Sequence, residues 1–535
     1  MTKYVLRRLL HGLISVVIVV LIVMLLVYSM MDRENVLASD ATYTKRQNNQ
    51  REDYKYSRWE LFGYVDYVTF QDWLNMLVRE GEIDADVKKE ALKFGKYLEK
   101  DENNDFLDPA DPEVAREYVL KFKEYYEAKG YTVVRRPAVM LTKTKVDAGG
   151  KQALFAYRDI PLAKRALTYF TRLIQVDNVH YVDAETDIGP RKLTFTLFDP
   201  AAGGKFSPAV MGNGTQHKYL LYFDSQFPYI HQNLFSLRLG TSFVQANNTE
   251  VTTMMGKRQG AKVYHTVTYP TGVAENSADD LHTAVYVEGS RDQLELNQRR
   301  YTDDYTSTTP YYKNRSAIAY SFLIGVISTV AAYLIGIPLG VLLSRKKDKF
   351  ADKLGTAYVV FILAVPSLAY IFMFKVIGRA MGLPGEMRTD AETAWMYVLP
   401  IVSLALPSIA GLMKWVRRYM IDQMNADYVK FARSGGLSDR EIFSKHILKN
   451  AIIPIVHGIP AGVLGSLVGA IVTERVYTVP GVGGLLTDAI EKYDNAVIVG
   501  VTLFYATLSV VSLILGDVLM ALVDPRISFT TEKAR

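Results

Sequence analysis

The sequence predicts a polytopic α-helical membrane protein with six transmembrane helices and an inserted α+β extracellular domain. Of its 535 residues 49% are hydrophobic, yet the mean hydropathy is only +0.04, so the apolar residues must be concentrated in separate segments. Six segments reach the roughly 20 apolar residues that a membrane helix requires, and a long polar stretch separates the first from the others. The six segments are 9–31, 317–343, 354–374, 394–412, 452–472 and 497–523.

The first and fourth apolar segments each carry a feature that is unusual in a plain membrane helix. Lys3, Arg7 and Arg8 precede the first segment, as in a signal peptide. Its apolar run is longer than a typical signal core and no small-x-small cleavage site follows, so we predict an uncleaved anchor. Pro400 and Pro407 interrupt the fourth segment, but neighbouring membrane helices can satisfy the backbone groups that a proline frees.

Basic residues are concentrated in four regions that share one side of the membrane if six helices cross it. The regions are the start of the chain, the loop after the second helix, the loop after the fourth helix, and the C-terminal tail. Because basic loops stay in the cytoplasm, both termini are predicted to be cytoplasmic and the segment 32–310 to face outward. The net charge of +6 is explained in this way, and no nucleic-acid-binding pattern is present.

The chain divides into three predicted units: residues 1–33 with the first helix, an extracellular domain at 34–310, and a membrane core at 311–535. The extracellular domain alternates helical and strand patterns, which predicts an α+β fold. Its predicted helices are 113–130 and 161–175, its predicted strands are 131–141, 192–198 and 218–224, and 301–312 is predicted to be a polar connector. Because the chain has no cysteine, this domain must depend on a packed core, which its Tyr and Phe residues can supply.

The sequence lacks the common nucleotide-binding and zinc-binding motifs, so it gives no support for an enzyme. No G-x-x-x-x-G-K-[ST] or H-E-x-x-H pattern occurs, and the eight histidines are scattered. Asp101, Asn103 and Asp105 have the spacing of calcium-loop ligands, but Phe106 and Pro112 occupy the positions of the required Gly and bidentate acid. We therefore predict no catalytic site, no metal site and no cofactor in this chain.

Charged residues are almost absent from the centres of helices two to five. Ion-coupled transporters place acids there, because a carboxylate within the membrane is costly and is kept for ion binding. Asp517 in the sixth helix is the exception. We predict a structural role, either pairing with a Lys or Arg on the cytoplasmic side or capping a neighbouring helix end, with a proton relay as the alternative.

A polar, basic segment at 427–454 lies between two apolar segments and has the pattern of a helix–turn–helix. Gly435 and Gly436 supply the turn, and Ser438 followed by Glu441 forms a capping box that starts the second helix. The apolar positions of that helix recur at helical spacing, which predicts one face packed on the membrane helices. The alternative is an ordinary basic cytoplasmic loop.

The same segment resembles the coupling motif of type I ABC importer permeases, in the oligopeptide/dipeptide (OppB/DppB-like) branch. Ala432 and Gly436 match the Ala and Gly of that motif, whereas Lys430 and Phe431 depart from it. Further matches are "AVPSLAY", "ERVYTVPGVGGLLTDAI" and "LVDPRIS", so the similarity covers the first helix and 311–535. Residues 217–243 look like the extended oligopeptide permeases of Gram-positive bacteria, the Opp/Ami type, in the B-like (AmiC-like) subunit.

This resemblance implies a multi-pass permease subunit of an ATP-driven oligopeptide importer in the plasma membrane of a Gram-positive bacterium. It implies a second permease subunit, two ATPase subunits that bind ATP and Mg²⁺, and an extracellular lipid-anchored peptide-binding protein. The implied ATPase-coupling residues lie in the helices at 425–450 and are Asp427, Tyr428, Ala432, Arg433, Gly436, Leu437, Ser438, Arg440, Glu441, His446 and Asn450. The expected translocation path includes Pro366, Ser367, Tyr370, Gly465, Ser466 and Gly469, for which helix packing is the alternative role.

Several alternatives remain open from the sequence. The substrate alternatives are dipeptides or nickel, and the alternative protein classes are an ABC exporter and a membrane-anchored ligand receptor. The extracellular domain is expected either to dock the peptide-binding protein or to act as a scaffold against the partner permease.

Overall fold

The computed structural model describes most of the chain, beginning with the first membrane helix, α1 (Thr2–Met30). The described residues are 2–38, 40–93, 107, 111–136, 139–140, 146–147, 153–177, 190–199, 204–223, 229–246, 248–286, 291–302 and 306–523. The calcium-like pattern at Asp101, Asn103 and Asp105 lies outside the described residues, as does the chain from residue 524. The apolar helix predicted at 9–31 is confirmed, and that it stays uncleaved remains a prediction.

The inserted domain follows α1 and mixes short helices with antiparallel strands. Its first half comprises α2 (Ala41–Lys45), α3 (Asn48–Leu61), β1 (Val65–Thr69), α4 (Phe70–Arg79), α5 (Ala85–Ala91), α6 (Glu113–Glu127), β2 (Thr132–Arg135), β3 (Val139–Met140), β4 (Val146–Asp147), β5 (Leu154–Asp159), α7 (Leu162–Thr171) and β6 (Ile174–Val176). Its second half comprises β7 (Lys192–Phe198), β8 (Phe206–Asn213), β9 (Tyr219–Phe223), β10 (Ile230–Gln232), β11 (Phe235–Leu237), β12 (Thr241–Ser242), β13 (Thr249–Glu250), α8 (Val251–Gly256), β14 (His265–Thr268), β15 (Ala274–Ser277), β16 (Asp279–Tyr286), α9 (Arg291–Arg300) and β17 (Thr306–Pro310).

Two antiparallel sheets organise this domain, in the strand orders β1-β5-β2 and β10-β9-β8-β7. Aromatic rings fill its interior, as the sequence predicts. Tyr56 lies 4.8 Å from Phe155 and 5.0 Å from Tyr157, measured between ring centroids. A second cluster packs Phe70, Trp73 and Phe122 beneath the three-stranded sheet. The domain is therefore stabilised by aromatic packing, whose pairs add to ordinary apolar burial.

Most of the secondary structure predicted for this domain is confirmed, with two corrections. Helix α6 and strands β2, β7 and β9 fall within their predicted segments. The helix predicted at 161–175 ends at Thr171, and its last residues form β6, which pairs with β11. The predicted connector at 301–312 contains β17, which pairs with β16. Both strands are specified by distant partners, which a local pattern does not reveal.

The membrane core consists of helices α10 to α19. They are α10 (Ala317–Arg345), α11 (Phe350–Ala364), α12 (Ser367–Ala380), α13 (Val398–Met424), α14 (Asp427–Ser434), α15 (Asp439–Glu441), α16 (Leu448–His457), α17 (Ile459–Tyr477), α18 (Val482–Glu491) and α19 (Asn495–Val523). A π-helical segment, Ile442–Ile447, joins α15 to α16. In the described chain five helices are long and apolar enough to cross a membrane: α1, α10, α13 (with the preceding turn from Ala394), α17 and α19.

The third predicted span, 354–374, is not one straight helix. It is the pair α11 and α12, which are bent by 108° at the break between them. Val365 is extended there (ψ 131°) because the ring of Pro366 disfavours a helical residue before it. The sequence contains this signal, but hydropathy averaged over 20 residues hides it.

The bent pair nevertheless passes from one end of the helix bundle to the other. Near its start, Asp352 binds Arg417 in the last turns of α13. Near its end, the Lys375 ammonium donates to the carbonyl of Val476 at the end of α17. Arg315, just after the inserted domain, contacts Tyr397 at the start of α13, and Gln259 of the domain donates to the carbonyl of Pro480 just after α17. The pair therefore connects opposite ends of the bundle, which makes six spans when it is counted as one.

The fourth and fifth spans also differ from the predicted bounds. α13 continues through Pro407 to Met424, twelve residues beyond the predicted end of its segment. The fifth span, predicted at 452–472, is α17 at Ile459–Tyr477, because Gly458 separates it from α16 and Pro460 starts a new helix.

Candidate functional site

The strongest candidate site is a helical projection at the end of the bundle opposite the inserted domain, here called the knob (residues 427–450). Its turn lies between α14 and α15. Gly436 has φ +81°, and its N–H donates to the carbonyl of Arg433 while the N–H of Leu437 donates to that of Ala432. A left-handed residue that ends a helix in this way favours glycine, because a Cβ is unfavourable there.

The start of α15 confirms the predicted capping box. The Ser438 hydroxyl accepts from the N–H of Glu441 (3.4 Å), and the Glu441 carboxylate accepts from the N–H (3.2 Å) and hydroxyl (2.8 Å) of Ser438. These hydrogen bonds, with the nearby Lys445 ammonium, hold the pKa of Glu441 below its usual value. The second helix is less regular than predicted, because its middle is π-helical.

The base of the knob is apolar and shared with two neighbouring helices. Val429, Ile442 and Ile447 are buried, and they pack in one cluster with Val416 and Met420 of α13. Ala451 and Ile455 of α16 complete this cluster. Burying an aliphatic side chain of this size contributes roughly 1.5–3 kcal/mol, so the knob should move with α13 and α16 as one unit.

The tip of the knob is exposed without interruption from Arg433 to Arg440. Its ion pairs, such as Lys430–Asp427 (2.9 Å) and Arg433–Asp439 (3.1 Å), are on the surface and contribute little to stability. An apolar side chain, Phe431, is 77% exposed beside them. A rigid base with a polar, partly apolar tip is suited to docking another protein.

The structure brings all eleven predicted coupling residues together in the knob. The exposed members are Asp427, Arg433, Gly436, Leu437, Ser438 and Arg440, and the partly buried members are Tyr428, Ala432, Glu441, His446 and Asn450. Among the part of the chain that the structure describes, no group of three His, Asp or Glu side chains could hold a metal ion.

The six predicted path residues lie in two groups, one at the start of α12 and one in the middle of α17, and they differ in burial. Ser466 is buried against α10, where its hydroxyl donates to the Gly325 carbonyl (2.9 Å). Tyr370 is buried in the cluster that includes Tyr320. The remaining four are the exposed Pro366, Ser367 and Gly465, and Gly469 within α17. Two of the predicted path residues therefore have contacts expected of helix packing in this chain.

A buried acid that follows the fifth predicted span, 452–472, lies inside α17. Glu474 is 1% exposed; it accepts a hydrogen bond from the Ser321 hydroxyl (2.6 Å) and one from the N–H of Gly484 (3.1 Å). It thereby joins α17 to α10 and α18. The signal for it was the glycine-rich "PGVGGLL" that follows, since consecutive backbone N–H groups can bind a carboxylate.

Two other acids of the membrane helices pair with arginines. Asp517 pairs with Arg8 of α1 (3.3 Å), which confirms the predicted structural pairing. Asp352, near the start of α11, pairs with Arg417 through two hydrogen bonds of 2.6 and 2.7 Å. The sequence interpretation did not identify this second pair.

Comparison with known proteins identifies the family of this chain. The family described as the inner membrane component of binding-protein-dependent transport systems matches residues 336–529, which include it. Over 535 residues the chain is 32% identical to the oligopeptide transport system permease protein AmiC of Streptococcus pneumoniae, and the alignment covers 99% of each chain.

Shorter relatives match part of the chain. It is 31% identical over 219 residues to the oligopeptide transport system permease protein AppB of Bacillus subtilis, covering 39% of this chain and 69% of AppB. It is 30% identical over 209 residues to the dipeptide transport system permease protein DppB of the same species, covering 39% of this chain and 67% of DppB. The AmiC alignment confirms the resemblance to the Opp/Ami type and necessarily includes the inserted domain. The chain therefore belongs to the AmiC-like permeases of binding-protein-dependent transport systems.

Proposed function

We propose that this chain is the permease subunit of an ATP-driven oligopeptide importer, that it forms half of the translocation path, and that its knob receives the movement of an ATPase. The observation that carries the proposal is the combination of an exposed tip at 433–440 with a buried base on α13 and α16. Coupling requires both properties, since a partner must bind the tip and its displacement must reach the membrane helices.

The proposed mechanism is a shift between two states of the membrane helices. Closure of the ATPases on ATP would displace the knob, and α13 and α16 would follow because they share its apolar cluster. α16 meets α17 at Gly458, so the displacement would continue into a membrane-spanning helix. ATP then favours one arrangement of the helices by binding the ATPases better in that arrangement.

The proposed complex contains this chain, a second permease subunit, two ATPase subunits that hold ATP and Mg²⁺, and a lipid-anchored peptide-binding protein outside the cell. In it this chain is a transport subunit without catalytic activity of its own. The four basic regions support cytoplasmic termini, with the knob in the cytoplasm and the inserted domain outside. The full-length similarity to the Streptococcus pneumoniae protein supports a Gram-positive origin.

The coupling proposal is tested by changing one exposed residue at the tip of the knob. Leu437→Asp adds one negative charge there, and Lys347→Gln changes the charge by the same amount in the neighbouring basic loop. We expect both variants to reach the membrane with the second permease, but only Leu437→Asp to lose the ATPases when the complex is purified in mild detergent. Retention of the ATPases by Leu437→Asp would refute the proposed docking site.

The substrate class is tested separately in proteoliposomes of the purified complex. We expect ATP-dependent uptake of labelled oligopeptides in the presence of the binding protein. Uptake of dipeptides or of nickel in place of oligopeptides would overturn the substrate assignment and leave the coupling proposal intact.

The inserted domain has two proposed roles, docking of the peptide-binding protein or support of the partner permease. Deletion of residues 40–225 tests them. Loss of binding-protein association with an intact permease pair would support docking, whereas loss of the pair itself would support the scaffold role.

A further inference from the structure

The strand pair β6–β11 of the inserted domain carries an exposed apolar face, and helix α7, which precedes β6 in the chain, has an exposed leucine. The antiparallel register places Phe235 opposite Val176 and Leu237 opposite Ile174. Directly opposed residues of such a pair project to the same side. These four side chains and Leu167 of α7 are each between 45% and 67% exposed. Clustered exposed apolar residues mark an interaction surface, unlike scattered ones.

This face lies next to membrane helices. Ala166, the neighbour of Leu167, is buried in the cluster that contains Val20 and Met24 of α1. The Tyr169 hydroxyl donates to the carbonyl of Leu239 (3.2 Å), two residues beyond Leu237.

The depth of the face along the bundle follows from a glycine of α19. A Cβ on Gly500 would lie 2.6 Å from the Leu239 carbonyl oxygen, so the chain after β11 touches α19 there. Gly500 is five residues into α19, about 7.5 Å along its axis at the normal helical rise. Leu239, two residues after the end of β11, therefore lies beside α19 at about 7.5 Å from the start of that membrane helix.

Two further observations favour lipid as the occupant. α1, against which α7 packs, presents its own exposed apolar residues at the same end, including Leu25 and Leu26. Arg172 and Arg238 are exposed at the edges of the apolar face, one between α7 and β6 and the other directly after β11. Guanidinium groups suit lipid phosphates, and long basic side chains at a membrane boundary reach the headgroups.

We propose that Leu167 and the apolar side of the β6–β11 pair insert into the boundary of the lipid bilayer beside α1, with Arg172 and Arg238 at the level of the headgroup phosphates. Together with α1, this contact would hold the inserted domain at a fixed height on the membrane. The proposal does not depend on the transported substrate.

The test uses the absence of native cysteine. Phe235→Cys and Val176→Cys are labelled with an environment-sensitive fluorophore in the full complex, reconstituted in nanodiscs with lipids that carry a nitroxide near the headgroup. Leu25→Cys on α1 is the lipid-exposed control. Leu120→Cys is the solvent-exposed control, because Leu120 is an exposed residue of α6, which packs within the inserted domain.

We expect nitroxide lipids to quench the labels at positions 235 and 176 at least twofold more than the label at 120, and nearly as much as the label at 25. Labels at 235 and 176 with water-like emission and no quenching would mean that the face is in solvent. A shifted emission without quenching would mean that another protein covers the face. Either of these results would overturn the proposal.

Discussion

At the residue scale, two adjacent glycines in the knob have different conformations and should respond differently to the same substitution. Gly436 has φ +81°, whereas Gly435 has φ −74°. A left-handed alanine costs roughly 1–2 kcal/mol, so Gly436→Ala should distort the turn and lower ATP-dependent uptake about fivefold or more. Gly435→Ala adds the same methyl group without this strain and should retain uptake, measured in proteoliposomes at equal protein content.

A third substitution separates backbone strain from a need for open space at the tip. Asparagine tolerates the left-handed conformation better than alanine does, and a Cβ at Gly436 would meet no atom within 4 Å in this chain. Gly436→Asn should therefore keep more uptake than Gly436→Ala. Equal loss in both variants would contradict the strain argument and indicate that the partner approaches the Gly436 backbone closely.

At the element scale, an ion pair joins the start of α11 to α13. The side chain of Asp352 is 4% exposed and that of Arg417 is 30% exposed. Asp352→Ala removes two charge-assisted hydrogen bonds and leaves the guanidinium without this partner, which should cost about 2 kcal/mol. We expect a lower thermal unfolding midpoint for the complex in detergent.

The knob provides the matched control for that ion pair. Asp427 and Lys430 also pair at 2.9 Å, but their side chains are 81% and 75% exposed. Because water screens such a pair, Asp427→Ala should change stability by less than about 0.5 kcal/mol. Equal shifts of the unfolding midpoint in the two variants would show that burial does not decide the strength of these pairs.

The bend between α11 and α12 gives a second prediction at this scale. Pro366→Ala restores a backbone N–H and permits a helical Val365, so the pair should populate straighter forms. Spin labels at Leu354→Cys and Val376→Cys are both on exposed positions. A straight helix would separate these α-carbons by about 33 Å. We therefore expect the distribution of electron–electron distances to extend toward that value in Pro366→Ala. An unchanged distribution would mean that packing of α12 alone holds the bend.

At the scale of the whole molecule, features specified by nearby residues could be predicted and features that need distant partners could not. The Ser438–Glu441 cap was predictable because a spacing of three residues contains all its atoms. The burial of Glu474 was only partly predictable: the glycines that follow it indicate a backbone that can bind a carboxylate, but its partner Ser321 belongs to a distant helix and its charge lowers the local hydropathy. Likewise β17 depends on its pairing with β16, so its polar sequence resembles a connector.

The residues predicted for coupling fall in one structural unit because their motif is continuous in sequence, whereas the residues predicted for the translocation path lie on two helices and in different environments; both assignments stay predictions. Ser466 and Gly465 are adjacent, yet the first is buried against α10 and the second is exposed. Which side of α17 faces α10 depends on packing between helices. Small residues alone do not determine it, since they suit close packing and an open path equally well.

One carboxylate links the inserted domain to the membrane core. Asp494 is buried, and one of its oxygens accepts hydrogen bonds from the Ser242 hydroxyl and from the N–H of Gln245 (3.2 Å). Its other oxygen accepts from the N–H of Val497 (3.4 Å) and caps α19. The same side chain therefore fixes the start of a membrane helix and the adjoining loop of the domain.

Asp494→Ala removes the helix cap and leaves the buried Ser242 hydroxyl without this acceptor, which together should cost about 2 kcal/mol. We expect faster proteolysis of the inserted domain in the intact complex and a lower unfolding midpoint. The control is Asp488→Ala, because the Asp488 side chain in α18 is 42% exposed and its partner Arg475 is 50% exposed. If both variants resist protease like the native chain, the domain is held by its apolar contacts with α1 and α19, and Asp494 serves only to cap the helix.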